Sequence, residues 1–265
     1  MTAKTPSNPQ PPINRTKIIY EGVRAALSPA GLVLTVTFFA FGALVQALNL
    51  PLGFGLSLTA FVFAIPGQVV MLDEIANNTG PAAMFLAVML TSIRLFPLTL
   101  SLMPLLNQPE GQRSRSAKFI HHLIAHFVAV TLWLQVNKTL PNLPARHRPY
   151  HGLGLCLGLL ILTLTATLAG FSAGQSLPPS VIAGALIATP IYFFISLIET
   201  STSRTDRAAL VLGTIFAIPL SLFWPEMTLL GAGLVGGTLA YLSTTPTEKA
   251  DVAAEKPERK EHREP

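Results

Sequence analysis

The sequence predicts an all-α fold: a polytopic bundle of six to eight membrane segments, some of them broken by proline or glycine. Three observations predict it. Half of the 265 residues are hydrophobic, only 12% are charged, and mean hydropathy is +0.52. A soluble domain carries about 25% charged residues, so this surface cannot be covered by charge, and lipid is the surrounding that fits. Apolar runs also recur along the chain near the length of about 20 residues that a bilayer requires. Finally, the runs are continuous rather than alternating, which excludes a barrel and leaves helices as the way to satisfy the backbone in lipid. A soluble enzyme, a disordered protein and a disulfide-built secreted domain are excluded on the same grounds.

Taken in order, residues 1–20 are polar and proline-rich and are expected to form a disordered cytoplasmic arm. The first apolar run follows Pro29 and is long enough to be retained as a helix rather than cleaved as a signal. Runs over 31–48, 52–72, 82–106, 119–136, 153–171, 181–198, 208–224 and 227–242 make up one membrane domain, 21–245. Asparagine, glycine and proline clusters separate them. Residues 246–265 alternate acids and bases and are expected to be a disordered, charged cytoplasmic tail.

The net charge of +5 is spread in a telling way. Lys4, Arg15, Lys17 and Arg24 precede the first run, and Lys249, Lys256, Arg259, Lys260 and Arg263 follow the last. This is positive-inside anchoring with both termini cytoplasmic, and it argues against nucleic acid as a partner. Eight full spans would leave Arg113, Arg115 and Lys118 outside, against that rule. The conflict disappears if the run broken at Pro66-Gly67 is re-entrant and the run carrying Lys118, His121, His122 and His126 does not cross.

Phe63-Ala64-Ile65-Pro66 resembles Ile187-Ala188-Thr189-Pro190, and acids, polar turns and further prolines follow each at an offset of about 120 residues. Helix breaks are therefore expected at Pro66, Pro97, Pro190 and Pro219. Proline removes one N–H and frees a carbonyl. In a membrane such a break survives only against protein or a water-filled cavity, where the opened helix ends can take a carboxylate or a cation.

Few polar residues lie within the runs. Arg94 is costly at membrane depth and is expected to face the interior, toward an acid or a substrate carboxylate. Asp73 and Glu74, and Glu199 at the end of a later run, are candidates for proton coupling. Gln68 beside Gly67 suits a substrate pocket, because its amide donates and accepts. His122 and His126 share a helix face but lack the acids or cysteines that complete a metal site, so neither metal nor cofactor is expected. Gly154 with Gly158, Gly170 with Gly174 and Gly233 with Gly237 read as helix-packing positions. The single cysteine, Cys156, reads as a buried hydrophobe. Nucleotide-binding and hydrolase motifs are absent, and no enzyme is expected.

Residues 21–104 carry a resemblance. Glu21-Gly22 leading to Pro29, Phe63-Ala64-Ile65-Pro66-Gly67-Gln68, and Ser92-Ile93-Arg94 with its following Leu-Phe-Pro resemble landmarks of the AzlC-like permeases, the large subunit of bacterial branched-chain amino acid exporters. The resemblance implies an inner-membrane, proton-driven secondary transporter exporting branched-chain or similar small apolar amino acids. It also implies a small AzlD-like membrane subunit as partner. Gln68 and Arg94 match the family pattern, and Pro66, Gly67, Gln68 and Arg94 become the expected substrate-binding set. The chain departs from the pattern at Ile65, where glycine is usual, and at Ser92, where asparagine is usual. An acidic pair after the basic loop is also missing. His126 is the residue there that could carry a proton instead. Two competing readings stay open: a partner subunit with no path of its own, and a histidine-dependent metal or haem protein.

Overall fold

The computed structural model describes residues 14–93, 95–106, 115–201, 204–223 and 228–243, with the side chains of all but 115–118, 199–200 and 229–230. Among them are twelve α-helices and no strand. The chain forms two compact units, Met1–Tyr192 and Phe193–Pro265.

Helix α1 (Arg15–Ala25) starts where the Asn14 side chain accepts from the Lys17 N–H. It therefore begins inside the stretch 1–20 expected to be a disordered arm, because a capped first turn outweighs the polar composition. Helix α2 (Pro29–Ala47) has Ser28 as its cap, accepting from Gly31, and Pro29 at its first position. It ends at Ala47, and Asn49 just beyond it adopts φ 55°. Helix α9 (Arg148–Ala173) is about 39 Å long at 1.5 Å per residue, enough for the whole bilayer.

These three helices form the spine of the first unit. Gly22 faces His151 and Leu155, Gly31 faces Leu159, Gly42 faces Thr167 and Phe171, and Gly174 faces Ala43. Successive positions pair with successive positions, so α1 and α2 run parallel to α9. Glycine permits the approach. A Cβ on Gly154 would collide with the Ile19 carbonyl and one on Gly170 with that of Phe39. Cys156 is buried along the same helix.

The remaining helices of this unit are short and come in pairs. Helices α3 (Leu52–Phe61) and α4 (Ile65–Ala76) are separated by three residues, as are α7 (Arg115–His126) and α8 (Val130–Thr139). Between the pairs lie α5 (Pro81–Ser92) and α6 (Leu95–Leu106), whose axes differ by 46°. Among the described residues four helices are long and apolar enough to cross a membrane, five if α5 and α6 count as one span.

Contacts at the helix ends show how the pairs run. Arg148 donates to the carbonyls of Leu143 (3.0 Å), Leu105 and Pro141 (both 3.4 Å). The ends of α6 and α8 therefore gather at the start of α9. His121 Nε2 lies 3.0 Å from the Leu106 carbonyl, and Ile124 abuts Gly152, so α7 leaves from that same end. The pair α7–α8 thus doubles back toward the start of α9.

The pair α3–α4 does the same from the opposite end. Gly55 on α3 packs against Val45 near the end of α2, and Thr59 bonds Thr167 in the later half of α9 at 3.0 Å. Gly67, early in α4, faces Val88 and Ser92 late in α5, so α4 and α5 are antiparallel. Since α6 ends beside the start of α9, the α4–α5 connection lies at the other end, where α3 began.

Helix α10 (Pro179–Thr200) runs without interruption through Pro190, and α11 (Arg204–Phe223) through Pro219. The expected breaks at these prolines are not found. One lost hydrogen bond leaves the rest of the ladder intact. Pro97 lies in the first turn of α6 and Pro66 in that of α4, each just after an interruption. In the second unit α11 packs on α12 (Thr228–Ser243) through Gly236, which meets Leu212 and Gly213. Gly233 and Gly237, expected to pack, face open space, so the contact falls on the other side of α12. Ile218, Leu222, Leu234 and Leu242 are exposed, as lipid-facing side chains are.

Candidate functional site

The tips of the two re-entrant pairs meet. Phe63 at the first tip and Phe127 at the second lie edge to face with ring centroids 5.1 Å apart, and Phe38 of α2 stacks on Phe63 at 5.8 Å. All three rings are buried. Phe63 adopts φ 44°, a left-handed conformation that a bulky side chain rarely takes. Strain of this kind persists where surrounding structure holds it, often at functional positions.

Each tip opens a helix start into the interior. The residue before α4, Ala64, and the one before α8, Ala129, are extended and offer no side-chain cap. The first N–H groups of a helix have no partner within it. For α4 these are Ile65 and Gly67, since Pro66 has none; for α8 they are Val130, Thr131 and Leu132. The partial positive charge of both helix starts is therefore directed toward the tips.

Gln68 bridges the first break. It is fully buried, and its Nε2 donates to the Leu58 carbonyl of α3 at 3.0 Å. That carbonyl also accepts from the N–H of Val62 and Phe63. The contact fixes which end of the amide points where, and Gln68 Oε1 is left buried with no partner. Gln135 on α8 is also buried, and its Nε2 has no partner. Among the described residues the other such atom is His151 Nδ1, at the start of α9.

The expected site residues are thus dispersed. Gly67 and Gln68 are buried at the first tip, while Pro66 points outward. Arg94 lies outside the described residues, two positions after Ser92, which packs on Gly67. Asp73 is exposed and Glu74 half-buried, both in the last turns of α4 and away from the tip. His126 is exposed with its ring 5.0 Å from that of Phe127. Glu199 belongs to the second unit, and its side chain lies outside the described ones. Sequence reading missed Phe127, Thr131 and Gln135. A signal existed: Phe127-Val128-Ala129-Val130 repeats the Phe-then-Ala start of the first break, and a glutamine follows in both runs.

The family model described as AzlC protein matches residues 29–177, more than half of the chain. The chain belongs to the AzlC family. The matched stretch runs from α2 through α9 and so contains both re-entrant pairs. The AzlC family is one of branched-chain amino acid transport, and this member is a multi-pass membrane protein. No curated protein and no solved structure matches the chain. Within this AzlC protein, the first tip offers the buried Gln68 amide oxygen beside an uncapped helix start and the rings of Phe63, Phe127 and Phe38.

Proposed function

We propose that the chain is a secondary transporter that exports branched-chain or similar small apolar amino acids across the bacterial inner membrane. Export is driven by the proton gradient, and a small AzlD-like membrane subunit assists. The observation that carries this reading is the meeting of two oppositely entering broken helices at Phe63 and Phe127. Discontinuous helices placed this way are how secondary transporters build a site at the bilayer midplane. Branched side chains suit the aromatic wall, and the charged ends of the substrate suit the opened helix ends.

Both termini are cytoplasmic in this reading, which sets Arg113, Arg115 and Lys118 inside. Substrate sits beside Gly67 and Gln68, with Pro66 shaping the break and Arg94 completing the pocket. Asp73, Glu74, Glu199 and His126 are the candidates for the coupling proton. The test is efflux from cells that lack their own exporters, loaded with a leucine- or valine-containing dipeptide. Co-expression with a small companion subunit should give fast efflux that collapses with the proton gradient and is lost in Arg94→Ala. Efflux indifferent to the gradient would point to a passive channel. None at all, with protein in the membrane, would overturn the transporter reading.

A further inference from the structure

The break between α3 and α4 brings two opposite helix ends together across residues 62–64. The last carbonyls of α3 carry partial negative charge, and the first N–H groups of α4 carry partial positive charge. Gln68 stands between them. Its Nε2 donates to the Leu58 carbonyl of α3 at 3.0 Å, and that contact fixes the other atom of the amide as Oε1. Leu58 already accepts from the N–H of Val62 and Phe63 as well. Oε1 is thus held on the α3 side of the break, fully buried and with no partner. A buried acceptor left in this way is costly and calls for a donor. Beside it Ala64 is extended and gives no side-chain cap, so the N–H groups of Ile65 and Gly67 stay open. Ile65 and Gln68 are about 4.5 Å apart along the helix axis at 1.5 Å per residue. Acceptor and donors therefore belong to a single helical turn.

We propose that this one turn recognises the α-carbon of the substrate: Gln68 Oε1 accepts from the ammonium, and the N–H groups of Ile65 and Gly67 donate to the carboxylate. This rests on the amino-acid reading above and assigns each charged group its partner. In an α-amino acid both groups sit on one carbon, a spacing that a single turn can serve. A β-amino acid sets them one carbon further apart and fits the turn poorly. The two helix ends fix the orientation. A carboxylate on the α3 side would meet carbonyl oxygens and Oε1, which are all acceptors, so the reverse placement is repulsive. A carboxylic acid that lacks the amine leaves Oε1 unpaired and is a weak ligand.

The test uses the full-length purified chain in lipid nanodiscs. The probes are leucine, β-homoleucine, leucinol (no carboxylate), 4-methylpentanoate (no ammonium) and sodium ion. Wild type should bind leucine about 10-fold or more tightly than the other three organic ligands, the range of a lost hydrogen bond to a charged group. Gln68→Leu should weaken leucine and leucinol by about 10-fold and leave 4-methylpentanoate within about threefold. Ile65→Pro removes one open N–H at the helical position that proline fits best. It should weaken leucine and 4-methylpentanoate and spare leucinol. The spared ligand, with an unliganded melting curve like that of the wild type, shows that each variant is folded. Equal losses for all ligands in both variants, or leucine affinity unchanged in Gln68→Leu, would overturn the assignment while leaving the transporter reading intact. So would β-homoleucine bound as tightly as leucine. Sodium that stabilises wild type but not Gln68→Leu, with leucine affinity unchanged, would mean that Oε1 holds a metal ion instead of the ammonium. Wild-type protein that binds none of the branched-chain amino acids would overturn both readings.

Discussion

Phe63 and Phe127 lie edge to face, 5.1 Å between ring centroids, at the point where two helix pairs entering from opposite ends of the bundle meet. The two residues belong to different breaks and different apolar runs. Their contact is what turns two interruptions into one site.

A double-mutant cycle measures that contact. Phe63→Ala and Phe127→Ala should each lower thermal stability in lipid. The double variant should lose less than the sum, with a coupling of about 0.5–1.5 kcal/mol. Additive losses would mean that the tips are held independently. Either single variant should also raise substrate leak in the absence of a proton gradient, read as efflux from cells treated with an uncoupler.

The hairpin topology makes a labelling prediction. Single cysteines at Asn49 and Gly80 flank the α3–α4 pair, and one at Asn142 follows the α7–α8 pair. All three positions are exposed. A membrane-impermeant maleimide applied outside intact cells should label the first two and not the third. Native Cys156 is buried, so its background is low. Opposite labelling of positions 49 and 80 would mean that α3–α4 crosses the membrane.

Spine packing should be intolerant at glycines that touch backbone. Gly170→Ala places a Cβ against the Phe39 carbonyl, and the cost of such overpacking is about 1–3 kcal/mol. A control at Gly53→Ala meets nothing within 4 Å and should leave the melting temperature unchanged. Fluorescence-detected thermal unfolding in detergent compares the two.

For the coupling proton, His126 is set directly against the second tip through Phe127, whereas Asp73 and Glu74 lie in the last turns of α4. Histidine is the side chain that changes charge near neutrality. His126→Gln should make efflux indifferent to the proton gradient while leaving leucine binding in place. Efflux that still follows the gradient would move the role to the acids.

Much of the fold was legible in the residues. Ser28-Pro29 starts α2, Asn49 and Pro51 stop it, and the glycines at 154, 158, 170 and 174 mark the face of α9 that takes α1 and α2. Prolines misled at two places. Pro190 and Pro219 stay within helices, because losing one hydrogen bond does not end a ladder whose other groups have no better partner in lipid. The break at Phe127–Ala129 has no proline, and apolar residues alone do not announce an extended tip.

Composition, run length and charge placement determined by themselves that this is a helical membrane protein, and the short motifs around Gln68 and Arg94 determined its family. These follow from transfer free energies and from residue types, which depend on no neighbour distant in the chain. Only the tertiary structure decided that α7–α8 and α3–α4 are opposed hairpins, that Phe127 meets Phe63, and that Gln68 and Gln135 are each left with a buried unpaired atom. Those facts arise where segments far apart in sequence come together and exclude other partners, and a linear pattern carries no record of which buried group goes unsatisfied.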